Sequence, residues 1–209
     1  MSLTNNLPDN FEYTYFSLTV LSQSIAEMET LAKRRPPYEL NLFNGHLGQF
    51  YYFTITYAFV MEFCKLMEPR VKGSNKHYAS LQRLNWKVYN LKGKSYFKAF
   101  NEIETSICSL RCSPFYSFIK NDLRDKRFAH TDKSQAKPFY FPPLTDEQMR
   151  AAKDACNVMW LIQNKAAESF KEEFSNHVDD TTENTITLYG AYYKYCVESG
   201  KLIQILNGS

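Results

Sequence analysis

The chain has 209 residues, of which 44% are hydrophobic, 22% are charged and 16% are aromatic, and its formal net charge is +3. These proportions are those of an ordinary globular protein, and the length suits a single domain over residues 1–209 with a sizeable core. The N-terminus lacks the basic and apolar regions of a signal peptide, and the longest apolar stretch, residues 50–61, is too short to span a bilayer. We therefore expect a cytoplasmic protein without a membrane segment.

The first predicted helices carry strong apolar patterns. Residues 10–35 form a helix whose apolar side is made by Phe16, Val20, Ile25, Met28 and Leu31 or their neighbours. A second helix over residues 46–67 is apolar nearly all round, which is typical of a central core helix.

The next helices are expected over residues 77–91 and 95–110. Ser113 and Pro114 then have the pattern of an N-cap followed by a first helical residue, and they begin the helix that leads to residues 120–132.

Two more helices complete the predicted fold. Thr145 and Gln148 form a capping box for a long helix that runs to about residue 174, and a final helix covers residues 186–206. The apolar face of the long helix consists of Met149, Ala152, Ala155, Met159, Ile162 and Ala166. The sequence predicts an all-α, up-and-down helical bundle with a four-helix core and additional terminal helices. It contains no βαβ pattern, Gly-rich phosphate loop or His-Glu-x2-His helix, which disfavours nucleotide kinases and zinc proteases.

Five cysteines, an odd number, lie in or beside these helices, and none forms a Cys-x2-Cys pair. Two of them share a predicted helix face, but no second pair or nearby histidine completes a zinc site. We therefore predict buried, reduced thiols and neither a metal nor a cofactor. The cysteines are Cys64, Cys108, Cys112, Cys156 and Cys196.

The most distinctive stretch is residues 120–132, Lys-Asn-Asp-Leu-Arg-Asp-Lys-Arg-Phe-Ala-His-Thr-Asp. It follows an apolar helical run and concentrates two arginines, a histidine and several carboxylates in a few turns. Arginine binds phosphate through a fixed fork of donors, and histidine can transfer a proton near neutral pH.

Within this stretch, Arg124-Asp125-x4-His130 resembles the Arg-polar-x4–6-His signature of the HEPN superfamily, the higher eukaryotes and prokaryotes nucleotide-binding domain. The residues Arg-Asp-Lys-Arg-Phe-Ala-His-Thr-Asp are similar to its abortive-infection branch, and only these nine residues carry the match. The resemblance implies a ribonuclease with the motif at a homodimer interface. By similarity, His130 would transfer the proton, Arg124 would contact phosphate and Asp125 would orient one of them.

Helix geometry gives a separate reason to expect a homodimer. On an ideal helix, Arg124 and His130 lie about 9 Å apart along the axis and roughly 120° apart around it, so one copy makes a poor site unless the helix ends or bends near Phe128. Two copies across a two-fold axis would surround one cleft with two arginines and two histidines. Arg127 shares a face with His130 and is a candidate assisting residue, as is Asp132.

The reaction that suits these groups is metal-independent RNA cleavage by attack of the ribose 2′-OH, which leaves a 2′,3′-cyclic phosphate. Such an effector of a prokaryotic defence or toxin–antitoxin system would be held in check by an antitoxin or other neutralising protein. Two alternatives stay open. In the first, the motif arginines and carboxylates form ordinary surface ion pairs, and His130 caps a helix. In the second, the chain is a non-catalytic module that dimerises and binds RNA, nucleotide or protein.

A basic, aromatic-rich segment over residues 65–98 is a second candidate RNA contact. Lysines and arginines there would track a phosphate backbone while aromatic rings stack on unpaired bases. The alternative is a solvated face whose aromatic residues belong to the core. The candidate RNA-binding residues are Arg83, Trp86, Lys87, Lys92 and Lys94.

Overall fold

The computed structural model describes residues 7–32, 45–70, 80–129 and 143–169, and within these ranges it is an all-α bundle with no β-strand. The 3₁₀ turn Gly93–Tyr96 joins the helices Leu81–Lys92 and Phe97–Arg111. The predicted final helix over residues 186–206 and Cys196 lie outside the described residues. In chain order the helices are α1 Leu7–Ala32, α2 His46–Leu66, α3 Leu81–Lys92, α4 Phe97–Arg111, α5 Pro114–Ser117, a π-helix Phe118–Ala129, and α6 Asp146–Glu168.

The helix α1 packs mainly against α2 and α6, with a smaller contact to α3. It runs antiparallel to α6, because Glu29 pairs with Lys153 at 2.7 Å while Ser22 accepts a hydrogen bond from Trp160 Nε1 at 2.9 Å. The central helix α2 also contacts the π-helix on its other side. The core contains side chains from every long helix, among them Leu18, Leu21, Phe59, Phe63, Leu84, Ile103 and Met159.

Local capping chemistry begins two of these helices where the sequence predicts. The Ser113 hydroxyl accepts a hydrogen bond from the Tyr116 amide at 3.1 Å, with Pro114 in the first turn. Thr145 and Gln148 make both hydrogen bonds of a capping box at the start of α6. The predicted face of α6 is buried as expected, from Met149 to Ala166.

The segment after Ser117 is wound as a π-helix, which the sequence analysis did not predict. Its buried residues Ile119, Leu123 and half-buried Phe128 are spaced by four and then five positions. On an α-helix a five-residue step would turn Phe128 roughly 140° away from Leu123. The wider turn of a π-helix brings the two residues back towards one face.

Two predictions about burial are wrong. Phe16 is 61% exposed, because α1 buries Thr14, Ser17, Leu18 and Leu21 instead. Cys108 and Cys112 are exposed rather than buried, although both are free thiols, as are the buried Cys64 and Cys156.

The apolar character of α2 does not make it a membrane span. No helix in the described ranges combines the length and hydrophobicity needed to cross a bilayer.

The capping box generates the first prediction. Thr145→Ala removes the hydroxyl that accepts a hydrogen bond from the Gln148 amide, so it should lower the free energy of unfolding by about 1 kcal/mol. The matched control is Thr105→Ala in the interior of α4, where the hydroxyl only bonds back to the Asn101 carbonyl. That change should be neutral or slightly stabilising, because alanine is the better helix former. Chemical denaturation measures both, and equal losses would contradict the capping argument.

Candidate functional site

Arg124 lies on the π-helix beside its neighbour Asp125. The Arg124 Nε donates a hydrogen bond to Asp125 Oδ1 at 2.7 Å, and the two side chains are 38% and 40% exposed. This bond raises the pKa of Arg124, so the guanidinium stays charged. A guanidinium carries five N–H donors, so the pair leaves donors at its far end for another acceptor.

The thiol of Cys64 on α2 lies behind this pair. Burial raises the pKa of Cys64 to about 11, and the positive charge of Arg124 and a hydrogen bond from it oppose that rise. The same cluster includes Tyr116, whose pKa is raised by burial first and by the nearby Cys64 second. The arginine therefore lies near Asp125 of its own helix and near Cys64 of α2.

Lys120 adds a second cation to this cluster. Its Nζ lies 5.9 Å from the centroid of the Tyr116 ring, a separation at which a cation is attracted to an aromatic face. Sequence reasoning missed both Lys120 and Tyr116 as neighbours of Arg124. The available signal was their regular spacing, since Tyr116, Lys120 and Arg124 follow one another at intervals of four.

Phe128 fixes the end of the π-helix on α2. Its ring meets those of Phe53 and Tyr57 edge to face, with centroids 5.4 Å and 5.2 Å away. His130, two positions later, lies outside the described residues, as does Asp132, and the side chain of Arg127 is not described. The structure thus brings Arg124 and Asp125 together, and the position of His130 relative to them stays a prediction.

The second carboxylate near Arg124 has a different partner. Asp122 accepts a hydrogen bond from Lys126 at 2.7 Å, four positions along the same helix. Exposed pairs of this kind contribute about 0–1 kcal/mol to folding. The half-exposed pair of Arg124 with Asp125 is therefore compatible both with a surface ion pair and with an oriented phosphate contact.

The basic segment uses several of its candidate RNA-binding side chains inside the protein. Lys87 is only 6% exposed, and burial, followed by the charge of Arg83, lowers its pKa. This burial is a poor fit for a side chain that must reach a phosphate backbone. Trp86 is half-buried, and the Cζ atom of Arg70 lies 3.6 Å from the centre of its ring, so one face is already covered.

Other aromatic residues of the segment also pack within the bundle. The ring of Tyr89 lies 4.6 Å from that of Phe100, and the Tyr96 hydroxyl donates a hydrogen bond to Asn85 Oδ1 at 3.0 Å. Lys92 and Lys94 are exposed at the connection between α3 and α4. The arrangement favours the core interpretation for Tyr89 and Tyr96, whereas Phe97 is 54% exposed, and it leaves a basic edge.

A cleft of about 440 Å³ is lined by Gln82 of α3 and by residues of α4, and none of the lining residues is a predicted site residue. Arg111 there donates hydrogen bonds to the Met67 carbonyl and to Gln82 Oε1, both at 2.9 Å. Glu104 accepts from Gln82 at 2.7 Å and from Asn85 at 2.9 Å. These polar groups bond mainly to one another, so they tie the end of α2 to α3 and α4.

Metal-ligating side chains do not gather anywhere in the described ranges, where no three His, Cys, Asp or Glu residues come together as a candidate site.

Comparison with known proteins finds no matching family model, no similar curated protein and no similar solved structure. Functional inference for this chain consequently depends on the motif and on the geometry around Arg124.

Thiol reactivity tests this arrangement. At pH 8 a thiol with the pKa of Cys64, about 11, is only about one-thousandth ionised, and the thiolate is the reactive form. In the native protein we expect iodoacetamide to label the exposed Cys108 and Cys112 quickly, and Cys64 and Cys156 only after unfolding. Peptide mass spectrometry over time measures the rates. Native labelling of Cys64 as fast as that of Cys108 would contradict its placement behind Arg124.

Proposed function

We propose that this chain is a metal-independent endoribonuclease of the HEPN type, acting in the cytoplasm as an effector of a prokaryotic defence or toxin–antitoxin system. The observation that carries the proposal is the half-exposed Arg124 guanidinium, which Asp125 holds by one edge at 2.7 Å. A charged guanidinium that is fixed at Nε, on a side chain that is 38% exposed, suits a phosphate contact.

The charges around Arg124 support an anionic ligand. Lys120 lies in the same cluster, and among the described residues Asp125 is the carboxylate bonded to Arg124, while Asp122 is paired with Lys126. Two cations near one acid leave a local positive excess that would attract a phosphodiester.

The proposed chemistry divides between two groups. His130 accepts the proton of a ribose 2′-OH, and this oxygen attacks the adjacent phosphorus. The bond from phosphorus to the 5′-oxygen breaks, and water supplies the proton that the leaving 5′-oxygen takes up. Arg124 stabilises the charge that grows on the non-bridging oxygens. The product ends in a 2′,3′-cyclic phosphate, and DNA resists because it has no 2′-OH.

A homodimer is part of this proposal. Two copies of the motif across a two-fold axis would supply two arginines and two histidines to one cleft. An antitoxin or other neutralising protein would bind the assembled effector.

The alternative is a non-catalytic module that dimerises and binds RNA, nucleotide or protein. The observation that favours it is the ion-paired state of Arg124, since a structural pair would give the same contact.

Removal of the proton-transfer residue separates the two candidates. His130→Ala should lower the rate of RNA cleavage by about a hundredfold or more, because general acid–base catalysis contributes about 10²–10⁴-fold. The assay uses purified protein and labelled RNA in EDTA, and electrophoresis with end-group analysis identifies the cyclic phosphate.

The matched control is His177→Ala, which changes a histidine outside the motif and should leave cleavage unchanged. If the wild type cleaves no RNA, or if His130→Ala cleaves RNA as fast as the wild type, the binding module is supported instead.

The phosphate contact has its own test. Arg124→Ala should reduce cleavage by about a hundredfold or more, because it removes charge stabilisation from the transition state. Arg150→Ala, at an exposed position on α6, removes the same charge elsewhere and should keep the wild-type rate. Single-turnover kinetics measure the chemical step, and circular dichroism checks that both variants are folded. Equal rates for the two variants would exclude Arg124 from the site.

A further inference from the structure

Lys120 is a cation of the Arg124 cluster to which the proposed reaction gives no role of its own. Its side chain is half-buried, and its Nζ lies 5.9 Å from the centroid of the Tyr116 ring. Burial raises the pKa of the Cys64 thiol, and the charges of Arg124 and then Lys120 oppose this rise. Both cations therefore lie within electrostatic reach of the same point on α2.

The spacing of Lys120 and Arg124 suits two phosphates of one strand. Residues four positions apart on an α-helix lie on one face, with about 5–6 Å between their Cβ atoms. The wider turn of the π-helix, which closes over five residues, keeps this pair about one turn apart. Consecutive phosphates of a nucleic acid are separated by a single sugar, a span that two such side chains can bridge.

Tyr116 restrains the ammonium group of Lys120. A cation is attracted to the face of an aromatic ring, and this contact leaves ammonium N–H donors for an acceptor. The tyrosine is itself supported, because its amide bonds to the Ser113 hydroxyl and its ring centroid lies 6.4 Å from that of Phe63. A restrained lysine loses less conformational freedom on binding than a free one does.

The carboxylates of the π-helix are engaged with other cations. Asp125 is bonded to Arg124, and Asp122 is paired with Lys126 at 2.7 Å. Within the described ranges, Lys126 therefore has a carboxylate partner, whereas the contact of Lys120 is with a neutral ring. An ammonium group without a bonded carboxylate stays available to an anionic ligand.

We propose that Lys120 binds the phosphate next to the scissile one, so that the site takes an RNA strand with at least two consecutive phosphates. The inference rests on the proposed function, in which Arg124 contacts the scissile phosphate. Tyr116 is a positioning residue, because it acts through Lys120. Oligonucleotides are then the substrate class, and a dinucleoside monophosphate, which has a single phosphate, is a poor substrate.

Substrate preference tests the second phosphate contact. The wild type should cleave a diribonucleotide that carries a second phosphate, at its 5′ or its 3′ end, with kcat/KM about tenfold above that of the dinucleoside monophosphate. The gain should appear mainly in KM, because the flanking phosphate does not react. Lys120→Ala should reduce the ratio of the two kcat/KM values to about one.

The matched control is Lys126→Ala, which removes the same charge from an exposed position on the same helix and should keep the wild-type ratio. Circular dichroism checks that both variants are folded. A wild-type ratio of one at either end, or an equal loss of preference in Lys126→Ala, would overturn the inference.

Substitutions of Tyr116 test its positioning role. Tyr116→Phe keeps an aromatic face under Lys120 and should preserve the substrate preference. Tyr116→Leu removes that face and should lower the ratio towards the value for Lys120→Ala. Equal ratios for the two tyrosine variants would remove Tyr116 from the account.

Salt dependence tests the same contact without cleavage. In the His130→Ala background, fluorescence anisotropy measures the affinity for a labelled single-stranded RNA over a series of salt concentrations. Adding Lys120→Ala should make the slope of log K against log salt shallower by about 0.7, the value for one phosphate contact on a single strand. Adding Lys126→Ala should leave the slope unchanged, and equal slopes for all three proteins would contradict the contact.

Failure of this inference and failure of the nuclease are distinguishable. A wild type that cleaves RNA without preferring a second phosphate would remove the Lys120 contact and leave the enzyme. A wild type that cleaves no RNA, but binds it with a salt slope that depends on Lys120, would keep the contact and remove the enzyme.

Discussion

The packing of α2 is the constraint on which the rest of the structure depends. One side of this helix buries Phe59 and Phe63 in the core, and another receives the π-helix through Phe128. The hydroxyl of Tyr52 accepts a hydrogen bond from the Leu144 amide at 3.0 Å, so the chain that leads into α6 is also fixed to α2. A helix that is apolar nearly all round has to find partners on every side, and it thereby places the segment that carries the motif.

The electrostatic character of the candidate site follows from that packing. Arg124 lies where the π-helix meets α2, with the buried Cys64 behind it and Asp125 along one edge. A guanidinium restrained in this way loses less conformational freedom on binding an anion than a mobile side chain would. By contrast, Lys87 of the basic segment is buried, so a local excess of basic residues in the sequence does not by itself make a binding face.

Burial was the property that sequence patterns predicted least well. Phe16 lies on the outer side of α1, whereas Ile25, Met28 and Leu31 are buried as expected. A helix such as α1 has apolar residues on more than one side, and the neighbouring helices select which side is covered. The π-helical winding has the same origin, since the five-residue step from Leu123 to Phe128 becomes useful only when α2 offers rings for Phe128 to meet.

The sequence by itself determined the helical class, the starts of the helices at Ser113 and Thr145, and the buried face of α6. These features depend on hydrogen bonds within three residues or on a regular apolar period, both of which are local. Only the tertiary structure decided that Arg124 lies near Cys64 and Tyr116, with Lys120 over the Tyr116 ring. Contacts between helices distant in sequence depend on how whole surfaces fit together, and no local pattern contains that information.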